Sequence, residues 1–364
     1  MRKQKQELKC NKEDGEMEDD QEKSLLEFVY KFVQDCLAAN PVIILGSGHS
    51  VAFGIPDVYQ IGKHLVAEVA PLIEKEDEDT WKKFEEIIKK KHLEAALHEV
   101  QLSPQVTKLL IQKTWEFIYS ADKKALYQVI NSLSGIFPLA RLYDHLFRST
   151  HQRLSLITTN YDHIAEYAAD VAGYAWTTGF DYGYIGQRCV KQPVTIYKHQ
   201  TPFRMVDIWK VHGSIKWCRG GDGIVYNFPS MDALPEGFTP AIVTPGINKY
   251  KETHEEPFRS IVAGADLALD SGKSFFCVGY GFNDDHIQPK LLEKCRRYNK
   301  NIVVLAKNLT EAAKKVLLDG GCKHFLAFEE AVGGTRMFNC EHCGGVILKD
   351  LNLWSLGGLL DRVL

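Results

Sequence analysis

A run of glycine and serine directly after a short apolar segment is the first part of this sequence suited to chemistry. Val42–Leu45 has the pattern of a buried parallel strand, and Gly46, Ser47, Gly48 and Ser50 follow it. Glycines let a backbone approach a pyrophosphate, and free amides at the start of a helix attract its charge. The pattern predicts a dinucleotide site, although a tight turn that binds nothing would use the same residues.

Polar residues also follow three later predicted strands. The strand Leu154–Thr158 runs into Thr159–Asp162, Ile208–Val211 into His212–Ser214, and Phe275–Val278 into Gly279–Asp284. In an open parallel sheet the carboxyl ends of the strands lie at one edge, where ligands bind. We therefore expect these loops and the glycine turn to converge on one site.

Two side chains in these loops have a structural and a chemical interpretation. Asn160, before a predicted helix, is often a helix cap, and His212, at a strand end, is often a hydrogen-bonded structural residue. An amide can also hold a water or a hydroxyl without adding charge, and an imidazole can take a proton near neutral pH. Their distance of 52 positions in the chain says nothing about contact.

These segments resemble motifs of the sirtuin superfamily. The run Gly46-Ser-Gly-x-Ser50 followed by Gly54-Ile55-Pro56-Asp57 resembles its NAD-binding signature. Thr159–Asp162 resembles the Gln-Asn-x-Asp segment that lines the nicotinamide ribose, and Val211–Gly213 resembles the segment with the catalytic histidine. More distantly, Gly279-Tyr-Gly281-Phe resembles the loop that closes on the adenine ribose and phosphates. Val304–Asn308 resembles the strand whose asparagine binds the adenosine end.

The resemblance implies cleavage of the bond between nicotinamide and ribose in NAD, which builds positive charge on the ribose. Asn160 would hold a water or ribose hydroxyl, Asp162 would lie near the cation or fix the loop, and His212 would take a proton. The implied NAD-binding residues are Gly46, Ser47, Gly48, Ser50, Gly54, Ile55, Pro56, Asp57, Thr159, Gly279, Gly281 and Asn308.

Several positions depart from the deacetylase sirtuins. Their zinc module has two Cys-x-x-Cys pairs, whereas Gly213–Ala241 contains only Cys218, so we expect no zinc ribbon. In those enzymes the module helps shape the acetyl-lysine groove, so its absence argues against protein deacetylation. Tyr59 stands where an arginine is usual, and Thr159 where a glutamine is usual. These departures resemble the NAD-hydrolysing sirtuin domains of bacterial anti-phage systems, in particular the subunit that acts with a HerA-type ring ATPase. That resemblance implies NAD depletion, homo-oligomerisation and an ATPase partner.

A second possible metal site lies near the C-terminus. Cys340 and Cys343 could bind zinc together with Cys322 and His324, but the latter two are separated by only one residue, which is unusual for a ligand pair. Unpaired thiols are the alternative, and we expect no metal. Nine cysteines, mostly scattered in apolar strings, predict reduced thiols in a cytoplasmic protein.

The remaining pattern predicts the organisation of the chain. It predicts a helix over Glu22–Ala38, mostly helical structure over Gln60–Phe147, a hairpin at Gly220–Gly223, a strand at Ala241–Thr244 and a last strand at His324–Phe328. Alternating strands and helices indicate an α/β fold with an open parallel, Rossmann-like sheet built from residues 24–59 and 150–330. A helical module (60–149) is inserted, a charged tail (1–23) is disordered, and 331–364 form an extension. The net charge of −3 gives no reason to expect direct binding to nucleic acid or membranes, and no run of 18 apolar residues predicts a membrane span.

The sequence thus favours an NAD glycohydrolase that uses NAD as its substrate. Three alternatives stay open. The chain could be an NAD-dependent protein deacylase or ADP-ribosyltransferase, a sensor that binds NAD or ADP-ribose without turnover, or an assembly subunit that docks an ATPase through its helical module.

Overall fold

The computed structural model describes residues 19–91, 93–131, 137–189, 194–243, 255–284, 286–319 and 322–364. The chain divides into two compact units: the first combines the residues up to Pro41 with Gly272–Leu364, and the second is Val42–Ser271. Most of the predicted tail, residues 1–18, lies outside the described residues. The predicted division into core, insertion and extension stays a prediction.

Helix α1 (Asp19–Ala38) opens the first unit, three residues before the predicted start at Glu22. Val29, Val33 and Cys36 repeat at helical spacing and are fully buried, which explains the helix and the face it turns to the core. Asn40 adopts a positive φ of 54° and Pro41 lacks an amide hydrogen, so the helix ends before them.

The second unit contains most of the predicted site residues and is built on four strands that pair in parallel. The strands described in this unit are β1 (Val42–Leu45), β2 (Arg153–Thr158), β3 (Ala175–Thr177), β4 (Tyr197–Lys198), β5 (Thr201–Pro202), β6 (Met205–Lys210), β7 (Gly213–Arg219), β8 (Val225–Asn227) and β9 (Thr239–Ile242). Strands β1, β2, β6 and β3 pair in parallel in that order, and β4 and β5 form a separate hairpin. The predicted strand Val42–Leu45 is confirmed residue for residue.

A small antiparallel sheet follows the parallel one and corrects the sequence-based prediction. Strand β7 pairs with both β8 and β9, and both pairings are antiparallel. The strand predicted at Ala241–Thr244 is β9, and it is not part of the parallel sheet; residue 244 lies outside the described residues. The hairpin predicted at Gly220–Gly223 is confirmed as the connection from β7 to β8. Gly213 and Ser214, predicted as loop residues, already belong to β7.

Eight α-helices are formed by the described residues of this unit: α2 (Ser47–Val51), α3 (Val58–Val69), α4 (Glu78–Lys90), α5 (Leu93–Glu99), α6 (Pro104–Asn131), α7 (Pro138–Leu146), α8 (Ile164–Val171) and α9 (Phe258–Ser271). The helical character predicted for Gln60–Phe147 is confirmed by α3 to α7. The core of this helical segment, which includes Trp81, Phe84 and Trp115, also contains Ile164 and Ile215. The helices therefore pack on the same segments that bear the predicted catalytic residues.

The described part of the first unit contains five strands, of which the first three are parallel. Its strands are β10 (Ser274–Val278), β11 (Asn301–Leu305), β12 (Phe325–Ala331), β13 (Gly334–Phe338) and β14 (Val346–Lys349), and its remaining helices are α10 (Ile287–Arg297), α11 (Glu311–Leu318) and α12 (Leu356–Val363). Strands β10 to β12 are parallel, whereas β13 and β14 are antiparallel. The prediction that the strand at His324–Phe328 is the last one was wrong, because a hairpin at Gly333 and Gly334, both with positive φ, returns the chain to the sheet.

The fold is mixed α/β with mostly parallel sheets, as the sequence predicted. The eight cysteines among the described residues are all free thiols. No helix formed by the described residues combines the length and the apolar character needed to cross a bilayer.

Candidate functional site

The register of the parallel sheet sets three predicted site residues at equivalent positions. Leu45 of β1 pairs with Thr158 of β2, and Thr158 pairs with Lys210 of β6. Ser47, Asn160 and His212 each lie two residues beyond these paired positions, so they leave the same edge of the sheet. Paired parallel strands are about 4.8 Å apart, so the loops start as close neighbours.

Backbone hydrogen bonds continue past the strand ends and join the Asn160 and His212 segments. The amide of Val211 donates to the carbonyl oxygen of Thr158 at 3.1 Å, and the amide of Ile215 donates to that of Tyr161 at 3.2 Å. Val243 donates to the carbonyl oxygen of His212 at 2.8 Å, which holds the histidine backbone against the end of β9.

The Asn160 amide is locked against the glycine turn. Its Nδ2 donates to the carbonyl oxygen of Gly46 and to Ser50 Oγ, both at 2.9 Å. The Gly46 carbonyl can only accept, so the orientation of the amide is fixed. Both amide hydrogens are used within the protein, and within the described part of the chain Oδ1 has no hydrogen-bond partner. Asn160 therefore offers a ligand an acceptor, suited to the O–H of a water or a ribose.

Ser50 links Asn160 to Asp162 and is 1% exposed. Its Oγ accepts from Asn160 and its hydroxyl hydrogen-bonds the Asp162 carboxylate, which also accepts from the amide of Ile164 at 3.1 Å. Burial raises the pKa of Asp162, while the positive charge of Lys210 opposes this rise. These contacts agree with the loop-fixing role that was one of two predicted for Asp162.

A buried ion pair lies below the same loop. Lys210, fully buried at the end of β6, donates from Nζ to Glu166 Oε1 at 3.0 Å and to the carbonyl oxygen of Asp162. Glu166 is 2% exposed on α8. The pair joins the end of β6 to the first turn of α8 and so fixes the Thr159–Asp162 loop from beneath. The sequence analysis assigned no role to either residue.

A second buried chain of polar groups was also missed. His163 Nδ1 lies 3.0 Å from Asp122 Oδ2, and His163 Nε2 lies 3.0 Å from Ser214 Oγ. Asp122 also accepts from the His163 amide at 2.8 Å and from the Tyr167 hydroxyl at 2.7 Å. Burial opposes ionisation of Asp122, but its close contact with His163 and these hydrogen bonds lower the pKa of Asp122 to about 2. Asp122 lies on α6, too far along the chain for a local sequence signal.

The Gly54–Asp57 segment connects the glycine turn to α3. Gly54 has a φ of 79°, a conformation that L-residues rarely adopt, which explains the glycine. Ile55 and Pro56 are buried, and the Asp57 carboxylate accepts from the amide of Gln60 at 2.7 Å in a capping box. In this structure Asp57 is used as a helix cap, and its predicted role in NAD binding stays a prediction.

Exposure differs along the glycine turn. Ser47 and Gly48 are exposed and accessible to a ligand, whereas His49 between them and Ser50 is 7% exposed. Burial lowers the pKa of His49 to about 4, so its imidazole is neutral at pH 7. The ring packs against Phe53 with centroids 5.6 Å apart. Thr159, predicted to contact NAD, is half-buried beside Asn160.

Three predicted residues belong to the first unit. Gly279, with a φ of 62°, follows β10 and donates its amide to the carbonyl oxygen of Leu305 at 2.7 Å. The Gly281 carbonyl oxygen accepts from Thr310 Oγ1 at 2.6 Å, and Asn308 is exposed after β11. Within their unit these residues follow the carboxyl ends of parallel strands, as predicted.

The cysteines near the C-terminus do not gather into a ligand set. Across the described ranges, no group of three or more His, Cys, Asp or Glu side chains could hold a metal ion. Cys322 hydrogen-bonds Cys295 through its thiol, and Cys343 Sγ donates to the carbonyl oxygen of Cys340 at 3.4 Å.

Comparisons with known proteins give one family. Residues 154–321 match the model of the SIR2-like domain. The search of the curated proteins found no matching sequence. Solved structures of Sir2 proteins also match, at low similarity.

A Sir2 homologue in complex with NAD has 12% identity and a TM-score of 0.35, covering 78% of this chain and 84% of that chain. Sir2Tm bound to a propionylated peptide has 12% identity and a TM-score of 0.38, covering 79% and 88%. TM-scores of this size support no inference about activity. The matched family segment begins within β2 and includes Asn160, Asp162, His212, Gly279, Gly281 and Asn308. The similarity to the SIR2-like domain model thus covers residues 154–321.

Proposed function

We propose that this chain is an NAD glycohydrolase, which converts NAD and water to ADP-ribose and nicotinamide. The observation that carries the proposal is the Asn160 amide, fixed by Gly46 and Ser50 so that its free acceptor lies at the sheet edge that also bears His212. The match of residues 154–321 to the SIR2-like domain supports NAD as the substrate.

In the proposed reaction, the exposed turn at Ser47 and Gly48 takes the pyrophosphate. Asn160 Oδ1 accepts the O–H of the attacking water or of a ribose hydroxyl, and His212 removes the proton as positive charge builds on the ribose. Asp162 holds the loop. Gly279, Gly281 and Asn308 are proposed contacts for the adenosine end.

Nicotinamide release measured by chromatography tests this proposal. The purified chain should release nicotinamide from NAD, and Asn160→Ala or His212→Ala should abolish release. Matched controls are Asn227→Ala, which removes a half-buried amide on β8, and His98→Ala, which removes an exposed imidazole on α5; both should leave release unchanged. Calorimetry with NAD then shows whether an inactive variant has lost NAD binding or only NAD cleavage.

The outcomes also separate the alternatives. A deacylase would consume NAD only when an acylated peptide is added, and an ADP-ribosyltransferase would transfer label from NAD to a protein. Binding of NAD without turnover in every condition would favour the sensor and contradict the proposal.

We further propose a role in anti-phage defence, in the cytoplasm, as a homo-oligomer regulated by a HerA-type ATPase. The resemblance of the departures described above to defence-system sirtuins supports this role. Cells that express the chain together with a HerA-type ATPase should lose NAD on phage infection, and cells with His212→Ala should not. Unchanged NAD in infected cells with the wild-type pair would contradict the role.

A further inference from the structure

The longest helix of the second unit, α6, contacts both segments that carry predicted catalytic residues. Asp122 accepts two hydrogen bonds from His163, one from its amide at 2.8 Å and one from its ring at 3.0 Å. Trp115 Nε1 donates to the carbonyl oxygen of Ile215 at 2.6 Å. Residues 115 and 122 are seven positions, or two helical turns, apart, so both lie on one face of α6. One helix face therefore holds the Asn160 segment and the His212 segment.

The ring of His163 joins the two segments. A carboxylate can only accept, so His163 Nδ1 carries a proton and donates to Asp122. In the tautomer with the proton on Nδ1, Nε2 accepts from the Ser214 hydroxyl, 3.0 Å away, and Ser214 Oγ accepts from the amide of Lys216 at 3.4 Å. Asp122 thus selects the tautomer of His163, and this tautomer orients Ser214, which is two residues after His212.

Burial strengthens the hydrogen bonds that link Asp122, His163 and Ser214, and it argues against an independent hydrolytic triad. Asp122 is 4% exposed, His163 3% and Ser214 1%. A hydrogen bond to a charged group contributes more than a neutral one, and an unsatisfied buried group is costly. A serine so enclosed is not accessible to a substrate. These three hydrogen-bonded residues therefore act on the geometry of the segments around them.

We propose that Asp122 is a positioning residue for the NAD-cleaving site: through His163 and Ser214 it holds the His212 segment in register with the Asn160 segment. This inference rests on the proposed function. It gives the inserted helical segment a role in catalysis, because a movement of α6 would shift both loops at once.

Asp122→Asn is the informative variant. Asparagine keeps the shape and can accept from the His163 amide, but its NH₂ group cannot accept from Nδ1–H, so His163 must change tautomer and the Ser214 hydroxyl loses its acceptor. We expect kcat for nicotinamide release to fall about 10- to 100-fold, with KM for NAD within about threefold. Asp232→Asn is the matched control: it removes an exposed carboxylate that also pairs with α6, through Lys123, and should leave both constants unchanged.

A double-mutant cycle tests whether the effect passes through His163. If Asp122 acts through Ser214, the double variant Asp122→Asn with Ser214→Ala should have a kcat little lower than that of the more impaired single variant. Each substitution alone already interrupts the same series of hydrogen bonds. If the reductions in kcat caused by the two single substitutions multiply in the double variant, or if Asp122→Asn leaves kcat unchanged, the inference is overturned. Ser214→Ala alone provides the kinetic test if Asp122→Asn does not fold.

Nitrogen NMR of histidine-labelled protein provides a readout that does not need activity. The His212 ring signals, assigned with His212→Asn, should move in Asp122→Asn and stay in place in Asp232→Asn. If the wild type neither binds nor cleaves NAD, the proposed function fails while these signals still decide the positioning role. Unmoved His212 signals in a folded Asp122→Asn protein would refute it.

Discussion

Gly213 is the position where the structure predicts the sharpest difference between two otherwise similar substitutions. Its φ is 92°, and a Cβ at this residue would stand 2.3 Å from the carbonyl oxygen of Ala241, against 3.4 Å for ordinary contact. The positive φ costs an L-residue about 1–2 kcal/mol. Forcing β7 and β9 apart adds about 1–3 kcal/mol, as in overpacked cores. Gly213→Ala should therefore lower the free energy of unfolding by about 2–5 kcal/mol.

Gly237→Ala provides the control for the backbone term alone. Gly237 has a φ of 80°, and a Cβ there would have no atom within 4 Å, so only the cost of about 1–2 kcal/mol is expected. Urea unfolding followed by tryptophan fluorescence is a suitable assay, because five of the six tryptophans lie in the Val42–Ser271 unit.

The two variants should also differ in activity. Gly213 follows His212 directly, so the displacement of β7 that relieves the clash moves the histidine, and nicotinamide release should fall with stability. If Gly213→Ala is no more destabilising than Gly237→Ala, then β7 and β9 are not in close contact at Gly213. The argument that this contact fixes the position of His212 would then fail as well.

Three further outcomes follow from the buried polar groups. Lys210→Met should destabilise by about 3–5 kcal/mol in urea unfolding, because Glu166 is left buried without its partner; Lys210→Met with Glu166→Gln should recover part of this loss, and no recovery would contradict the pairing. His49 is buried in its neutral form with a pKa of about 4, whereas an unfolded histidine takes up its proton near pH 6.5. The free energy of unfolding should therefore fall as the pH drops from about 6.5 to about 4, by about 3 kcal/mol in total. His49→Leu should remove this part of the pH dependence of urea unfolding. An unchanged dependence would refute the burial argument. Ser50→Ala removes the hydroxyl shared by Asn160 and Asp162 and should slow nicotinamide release about tenfold; full activity would show that this hydroxyl does not hold the amide.

Local patterns predicted much of the secondary structure. The apolar run at Val42–Leu45 predicted a buried strand, and glycines with positive φ, such as Gly54, marked real turns. The antiparallel strand β9 was misassigned and β13 and β14 were missed, because short strands beside hairpins give weak periodic signals and their partners are chosen by packing.

By itself the sequence determined which residues could do chemistry and that they follow strand ends, since residue types and apolar runs are local properties. Tertiary structure alone decided the register that aligns Ser47, Asn160 and His212, because the paired residues Leu45 and Thr158 are 113 positions apart and Thr158 and Lys210 are 52 positions apart. It also decided the contacts of Asp122 and Lys210. Their charges can be buried only where His163 and Glu166 meet them, and no local pattern encodes such a meeting.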